Sequence, residues 1–452
     1  MQPLPKEFEE QMKRLLGEAG FFAYLDALNQ PYTRALRVNL LLRPDGTPPC
    51  PIEGLGAPVP WAKGAYFVEG DARPGLSPLH EGGLFYMQEP SALTAVTALD
   101  PQPGERVLDL CAAPGGKSTQ IAALMAGRGL LCCNEPIPSR AQILSRNIER
   151  MGVRNAVVLS AMPDALAPRF PAFFDRILVD APCSGEGMFR RQPEARDEWD
   201  ADAPRRCADR QMEILAQAAK MLRPGGTMVY STCTFNDTEN EGVLRRFLAL
   251  HPEFSLVPFA LPGLPEAKDG YLHLYPHEMR GEGHFVSRLK KADGADEADA
   301  PVQAAPQLKA PARAAKGKAP APIALPDVFS DAFAPERLYT AGDALWMLPE
   351  GISIERLSGL RVLRTGLLLA HAEGKRSEPD HALAMALRPE EAARTASLTQ
   401  TQALAYQAGE TLSLGDLPGG YTLLCCEGVS LGWGKQAGGL MKNHYPKGLR
   451  RR

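Results

Sequence analysis

The sequence has no segment that would place it in a membrane or mark it for export. No apolar run approaches the ~20 residues that a bilayer-spanning helix needs. The N-terminal stretch is charged and helix-like and has no apolar signal core. We therefore expect a protein without a membrane partner.

The number and spacing of the cysteines argue against two further classes, disulfide-stabilised proteins and zinc-binding proteins. The nine cysteines are an odd number, scattered along the chain, and none has the C-x-x-C spacing of a zinc site. A disulfide framework is therefore not expected, reduced thiols favour a cytoplasmic location, and we predict no metal site.

A basic excess, which is typical of nucleic-acid binders, is also absent, since the formal net charge is −3. Local distribution matters more than the total, because a basic groove can lie on a neutral protein. The last stretch, 442–452, holds five basic residues and no acid, and we interpret it alone as a solvated tail.

What the sequence does contain is a repeated alternation of strand and helix signals. Its length of 452 residues predicts more than one domain. From residue 82 onwards, amphipathic helical segments and Gly/Pro turns separate short apolar runs, a pattern that predicts an α/β fold with a doubly wound parallel sheet. These runs are GERVLDL, GLLCCNE, NAVVLSA, DRILVDA and GTMVYST, with EFSLVPF and HFVSRLK as candidate edge strands.

The flanking regions differ in composition. Residues 6–29 have helical periodicity, 31–42 resemble a strand, and 44–80 are rich in Gly and Pro. An Ala/Pro-rich stretch interrupts the chain before a β-rich C-terminal region. We therefore divide the chain into an N-terminal extension, a catalytic domain, a linker and a C-terminal region, at 1–80, 81–291, 292–325 and 326–452.

A glycine-rich turn follows the first predicted strand of the sheet. Such a turn lets the backbone approach a ligand, and the helix behind it presents free N–H groups. Glu135, 20 residues after Gly115, ends the second strand, where a carboxylate can accept ribose hydroxyls, and Asp180 ends the fourth. Both the dinucleotide fingerprint and the complete phosphate loop are absent, which favours an adenosyl ligand without phosphate. The predicted cofactor residues are Cys111, Ala112, Ala113, Pro114, Gly115, Gly116, Lys117, Glu135 and Asp180.

Two cysteines follow strands four and five, within DAPCSGEGMFRR and STCTFNDTENE. In a sheet ordered 3-2-1-4-5 these strands are neighbours and ligands bind at their carboxyl ends, so Cys183 and Cys233 are expected beside the cofactor. Most free cysteines are small buried hydrophobes. We keep that interpretation for Cys50, Cys132, Cys133, Cys207, Cys425 and Cys426, and expect Cys111 to pack within the cofactor loop.

Four segments carry a family resemblance. RVLDLCAAPGGKSTQIA, DAPCSGEGMFRR, YSTCTFNDTENEGVL and FYMQEPSAL resemble the Sun-type RNA (cytosine-5) methyltransferases over about 30 to 290. GWGKQAGGLMKNHYPKGLRRR further resembles the F-type bacterial members, which modify small-subunit ribosomal RNA. The resemblance implies a Rossmann-like methyltransferase sheet, an N-terminal α+β RNA-binding extension, a PUA-like C-terminal RNA-binding domain and S-adenosylmethionine as cofactor. The implied partner is ribosomal RNA or the small ribosomal subunit, and we expect a monomer.

The resemblance also implies catalytic roles. Cys233 would add to C6 of cytosine, Asp180 would contact N3 and Cys183 would assist release of the product. The alternative makes Cys183 the nucleophile, as in DNA (cytosine-5) methyltransferases. One position departs from the family: the acid expected 18 residues before Asp180 falls on Met162, with Asp164 two residues on as a substitute.

Contacts with RNA are less specific in the sequence. Arg and Lys side chains near the motifs are as compatible with solvated charge as with phosphate contact. Tyr86 and Phe189 could stack on a base, but core packing is favoured for both. Two other functions compete: a non-catalytic ribosome-assembly factor, and a nicotinamide-dependent reductase that the missing fingerprint disfavours. Transfer RNA is an alternative substrate. The basic candidates are Arg34, Arg37, Lys117, Arg190, Arg191 and Arg196.

Overall fold

A computed structural model describes residues 4–294, 323–374 and 376–451. The N-terminal part begins with one long helix, in which Gly17 has a non-helical, positive φ of 67°. A four-stranded antiparallel sheet of order β2-β3-β1-β4 follows. The elements are α1 (Lys6–Leu28), β1 (Arg34–Val38), β2 (Leu55–Pro58), β3 (Ala65–Val68), α2 (Pro78–Glu81) and β4 (Phe85–Gln88).

The central part alternates strands with helices, as the apolar runs predict. Its strands are buried on both faces, because helices cover them on each side. The elements are α3 (Leu93–Leu99), β5 (Arg106–Asp109), α4 (Gly116–Leu124), β6 (Leu130–Asn134), α5 (Pro138–Arg150), β7 (Ala156–Leu159), α6 (Pro163–Leu166), β8 (Phe174–Asp180), α7 (Glu194–Glu198), α8 (Ala203–Met221), β9 (Leu222–Thr232), α9 (Glu241–Leu250), β10 (Phe254–Leu256), β11 (Tyr271–Leu274) and β12 (His284–Lys291).

The strand order confirms the predicted doubly wound topology. Strands β7-β6-β5-β8-β9 are parallel and lie in the order 3-2-1-4-5. Of the two candidate edge strands, β10 lies at the edge. The other, β12, pairs antiparallel with β9 on one side and with β10 and β11 on the other, so it is an interior strand. The start of β12 is thereby brought to the carboxyl end of β9.

The C-terminal part contains two further four-stranded sheets, of orders β13-β14-β16-β17 and β18-β19-β20-β21. One of its strands, β15, instead pairs antiparallel with β7 and extends the central sheet. The elements are β13 (Leu338–Ala341), β14 (Ala344–Met347), α10 (Ile354–Leu357), β15 (Val362–Arg364), β16 (Leu367–Glu373), β17 (Arg376–Pro379), α11 (His381–Ala386), β18 (Thr395–Ser397), α12 (Gln400–Ala408), β19 (Gly420–Cys426), β20 (Val429–Ala437) and β21 (Leu440–Asn443).

The two ends of the chain share a hydrophobic core. Leu36 and Phe85 of the N-terminal sheet pack in one cluster with Tyr406 and Leu431. The basic C-terminus, which we interpret from sequence as a solvated tail, is docked here instead: the Arg451 guanidinium donates to two backbone carbonyls in the segment before α2. Backbone acceptors of this kind leave no signal in the sequence.

The predicted linker, 292–325, lies largely outside the described residues. Within the described ranges, none of the helices combines the length and apolar character that a membrane crossing requires.

Candidate active site

The loop between β5 and α4 approaches α5 so closely that it needs glycine. Gly115 has a φ of 113°, and a Cβ at this position would lie 3.2 Å from Leu144 Cδ1 and 3.3 Å from Asn147 Cβ. Asn147 also donates its amide to the Pro114 carbonyl at 2.9 Å. The contacts with α5 therefore fix the backbone of the loop. The first residues of α4, which follows the loop, leave free N–H groups at this edge of the sheet.

A buried carboxylate follows the next strand. Glu135 is only 3% exposed, and its Oε1 accepts the Ile137 N–H at 3.0 Å. Its Oε2 lies 3.6 Å from the half-exposed Arg140 guanidinium. A carboxylate fixed in this way keeps lone pairs for hydroxyl donors, as ribose binding requires.

Beneath the loop, Asp109 is completely buried at the end of β5. Its Oδ2 accepts the Ser118 hydroxyl at 2.7 Å, while its Oδ1 has no hydrogen-bond partner in the described part of the chain. Burial raises the pKa of Asp109 to about 7, because Ser118 offsets only part of the loss of solvation.

We expect Asp109→Asn to stabilise the cofactor-free protein at alkaline pH and to change its stability little near pH 4. A carboxyl with a pKa of about 7 when folded and about 3.9 when unfolded binds more protons in the folded state. Its contribution to stability is therefore complete below about pH 4 and is lost as the pH rises through about 7. The gain in the variant reaches at most about 4 kcal/mol above about pH 8. Urea unfolding of both proteins across this range measures it, and parallel stability curves would contradict the expectation.

The residue after Gly116 forms an ion pair across the mouth of the loop. Lys117 Nζ lies 2.8 Å from Asp180 Oδ2, and Asp180 Oδ1 accepts the Ser231 hydroxyl at 2.9 Å. His284 Nε2 lies 3.6 Å from the same Oδ1. Burial alone would raise the pKa of Asp180, but Lys117 and His284 outweigh it and hold this pKa well below its usual range.

The two cysteines predicted to meet do so. Cys183 Sγ and Cys233 Sγ are 3.3 Å apart, just past the carboxyl ends of β8 and β9. The contact with the Cys233 sulfur, followed by burial, raises the pKa of Cys183 well above its usual value. The Cys183 thiol is therefore held in its protonated form.

Buried carboxylates fix the two cysteine loops to each other. Glu239, which is fully buried, accepts both the backbone N–H and the hydroxyl of Ser184, the residue after Cys183. Glu186 accepts the backbone N–H groups of Phe235 and Asn236. Each loop thus supplies a carboxylate that binds the other loop, so the separation of the two sulfur atoms is set by buried, charge-assisted hydrogen bonds.

Most of the basic side chains considered as candidates for RNA contact are bound within the protein. Arg37 is buried and donates to the Thr119 hydroxyl at 2.8 Å, and Arg190 pairs with buried Glu282 at 2.6 Å. Arg34 and Arg196 donate to backbone carbonyls, and Lys117 belongs to the ion pair with Asp180. Of the six, Arg191 is exposed.

The structure also locates the two aromatic candidates and Met162, the position that differs from the family pattern. Phe189 is fully buried against Phe8, with ring centroids 4.9 Å apart, so core packing is the correct interpretation for it. Tyr86 is 9% exposed, and a Cβ on Gly116 would lie 3.2 Å from its ring. Met162, 61% exposed, and exposed Asp164 both lie past the carboxyl end of β7.

The cysteines assigned to packing are buried or partly buried. The buried ones are Cys132, Cys133, Cys425 and Cys426, and the partly buried ones are Cys50, Cys207 and Cys111 of the cofactor loop.

Several residues of the site were not predicted from the sequence. His284 comes from an antiparallel strand that was expected only as an edge strand, and Ser231 was regarded as part of a strand. Glu239 and Glu186 lie inside the quoted motifs, six residues after Cys233 and three after Cys183, and an acid so close to each cysteine was the available signal.

A Rossmann-like sheet with an adenosyl-type loop, a buried acid after the second strand and reactive side chains after the fourth and fifth is the architecture of a methyltransferase. Family models agree along most of the chain. They are the 16S rRNA methyltransferase RsmB/F family at 96–290, the N-terminal domain of 16S rRNA methyltransferase RsmF at 4–90, the RsmF rRNA methyltransferase first C-terminal domain at 326–387 and the methyltransferase RsmF PUA domain at 393–451.

Individual relatives support the same assignment. The ribosomal RNA small subunit methyltransferase F of Enterobacter sp. (strain 638) is 35% identical, over 98% of this chain and 95% of its own. The protein of the same name from Erwinia tasmaniensis is 34% identical, over 98% and 96%. The solved structure of PH0851 is 30% identical with a TM-score of 0.57, over 64% of this chain and 66% of its own. The chain belongs to the 16S rRNA methyltransferase RsmB/F family.

A solved structure of NSun6 from Pyrococcus horikoshii with SFG has the same fold, with 23% identity and a TM-score of 0.55, over 64% of this chain and 99% of its own. Together these findings confirm the predicted fold class and the predicted family.

Proposed function

We propose that this protein transfers a methyl group from S-adenosylmethionine to C5 of cytosine in small-subunit ribosomal RNA, through a covalent bond between Cys233 and C6. The observation that carries the proposal is the 3.3 Å approach of two thiols beside the Asp180–Lys117 ion pair. A thiol nucleophile, a second protonated thiol and a charged pair are the groups that this chemistry requires.

The residues at the carboxyl edge of the sheet fit the cofactor. Glu135 is the proposed acceptor for ribose hydroxyls, and the glycine-lined backbone of 111–117 leaves room for the methionine part. Asp180, next to Lys117, completes the proposed set. When bound there, S-adenosylmethionine supplies an electrophilic methyl group.

The roles proposed for the side chains are those that the family resemblance implies. Cys233 Sγ forms a bond to C6 as its thiol proton moves to N3, and the electron pair of the C5–C6 double bond becomes available at C5. Asp180, held ionised by Lys117, accepts hydrogen bonds from the pyrimidine edge and stabilises a proton at N3. After the methyl group has bonded to C5, Cys183 takes the C5 proton as it passes its own proton to the departing Cys233 sulfur, 3.3 Å away. The released electron pair restores the double bond as the bond between Cys233 and C6 breaks, and N3 then gives its proton to solvent.

Mapping of 5-methylcytosine tests the proposal. Small-subunit ribosomal RNA from cells lacking the gene, treated with the protein and S-adenosylmethionine, should gain 5-methylcytosine that is also present in wild-type cells. Methylation of transfer RNA alone would overturn the assigned substrate. Binding of ribosomal RNA without methyl transfer would favour the assembly-factor alternative.

We also propose that different regions of the chain bind RNA and carry out catalysis. The extension at 1–80 and the region 326–452, with its PUA-like domain, bind RNA, while 81–291 carries the chemistry and 292–325 links them. Leu36 and Tyr406 belong to one hydrophobic cluster, which supports a fixed relation between the two proposed RNA-binding parts. We propose that the protein acts as a cytoplasmic monomer.

The affinity for S-adenosylmethionine should fall about ten- to hundredfold in Glu135→Gln. The amide replaces a charged acceptor for two hydroxyls, and a charge-assisted hydrogen bond contributes about 1.5–3 kcal/mol. Isothermal titration calorimetry with S-adenosylmethionine measures the loss. Glu410→Gln, an exposed carboxyl of the C-terminal part, is the matched control, and equal affinities for the two variants would refute the role of Glu135.

A further inference from the structure

A charged cleft lies between the N-terminal sheet and the loop that precedes β12. Its volume is about 660 Å³, and three arginines from separate segments line it together with two acids. Tyr32 is the aromatic residue at its rim and is 46% exposed. The lining arginines are Arg34, Arg73 and Arg280, and the acids are Glu69 and Asp71.

The arginines of the cleft have different surroundings. Arg34 is held by two backbone carbonyls, of Gly70 and Ala72. Arg280 pairs with Glu69 at 2.9 Å and lies over the Phe67 ring at 3.9 Å. Arg73 is exposed, and its guanidinium makes no hydrogen bond or ion pair within the described ranges. It is therefore the cation best able to bind an anion from solution.

The wall of the cleft continues into the catalytic site. Thr33 donates its N–H to Glu282 at 2.9 Å, and the same carboxylate binds Arg190, which follows the Cys183 motif. Two residues later, His284 faces Asp180. Four residues of extended chain span at most about 14 Å, so the cleft at Arg280 lies within a few nucleotides of the thiols.

We propose that this cleft binds an unpaired nucleotide of the RNA strand next to the target cytosine, with its phosphate on Arg73 and its base against Tyr32. The inference rests on the proposed function, because it assigns the flanking part of the same substrate. An arginine beside an exposed aromatic ring is the combination that binds single strands. Asp71 adds an acceptor for a ribose hydroxyl or a base amino group. A reacting cytosine must leave its helix, so its neighbours reach the surface unpaired.

Fluorescence anisotropy of the full chain with a short labelled single-stranded RNA, titrated at several salt concentrations, tests the cleft. In Arg73→Ala one phosphate contact is lost, so the slope of log K against log salt should decrease by about 0.7, and affinity near 0.1 M salt about fivefold. Tyr32→Ala should lose about tenfold, and Tyr32→Phe should restore most of it, because stacking needs the ring and not the hydroxyl.

The matched control is Arg128→Ala, an exposed arginine in the loop before β6, at the opposite edge of the sheet. Affinity for S-adenosylmethionine and the urea midpoint should be unchanged in all four variants. If Arg73→Ala had the slope of the control, or Tyr32→Phe bound as weakly as Tyr32→Ala, the cleft would not be a nucleotide site. A wild-type chain that binds RNA but transfers no methyl group contradicts the proposed function alone, and one that binds no RNA contradicts both.

Discussion

Replacing the two thiols should separate bond formation from product release. Cys233→Ala should transfer no measurable methyl group, because the neighbouring sulfur, that of Cys183, is assigned to proton removal and not to addition at C6. Cys183→Ala should still form the bond to C6 but release the RNA slowly, because the group assigned to removal of the C5 proton is gone. The two variants can be compared directly, because each removes one sulfur atom and the two atoms lie 3.3 Å apart in the same site.

The readout is a protein–RNA complex that survives denaturing electrophoresis. With S-adenosylmethionine present, Cys183→Ala should accumulate it, the wild type should show a trace, and Cys233→Ala should show none. Cys50→Ala, which removes a partly buried thiol of the N-terminal part, is the control for general effects of cysteine loss. The reverse pattern, with the complex in Cys233→Ala and inactivity in Cys183→Ala, would establish the alternative in which Cys183 is the nucleophile.

The meeting of these thiols was predictable because it depends on topology alone. Alternating strands and helices with right-handed crossovers leave few possible strand orders, and the ends of neighbouring parallel strands meet at one edge. Two cysteines that each follow such a strand come together whatever the details of their loops. The same reasoning predicted Glu135 after β6 and Asp180 at the end of β8.

What could not be predicted depends on register and on distant partners. His284 reaches Asp180 because β12 pairs with β9 so that Phe285 lies opposite Thr232, and no pattern in the sequence fixes that alignment. Strand β15 was assigned to a separate C-terminal region, yet its pairing partner is β7. The buried guanidinium groups of Arg37 and Arg190 bind a hydroxyl and a carboxylate that are distant in the sequence. Composition alone therefore could not distinguish these two arginines from surface cations.

Methyl transfer should fall at least about a hundredfold in Lys117→Met, the usual cost of losing one preorganised charged donor in an active site. Lys117 lies 2.8 Å from Asp180 and is largely buried with it. Methionine keeps the length and apolar stem of the side chain but removes the charge that holds the carboxylate ionised. Steady-state transfer to small-subunit ribosomal RNA measures the loss, and Lys117→Arg should recover part of it because the charge is retained.

A stability measurement distinguishes this electrostatic role from a packing role. A depressed pKa means that the Asp180 pair stabilises the wild type above about pH 4, and this contribution is lost as the pH falls through the folded-state pKa. Lys117→Met leaves a buried carboxylate without its cation, so at neutral pH it should be destabilised by about 2 kcal/mol. Lys117→Met/Asp180→Asn removes that unpaired charge and should be more stable than the single variant at pH 7, but not near pH 3. If the double variant were no more stable than Lys117→Met at neutral pH, Lys117 would act through its packing, and the charge pair would not be what prepares Asp180 for the pyrimidine edge.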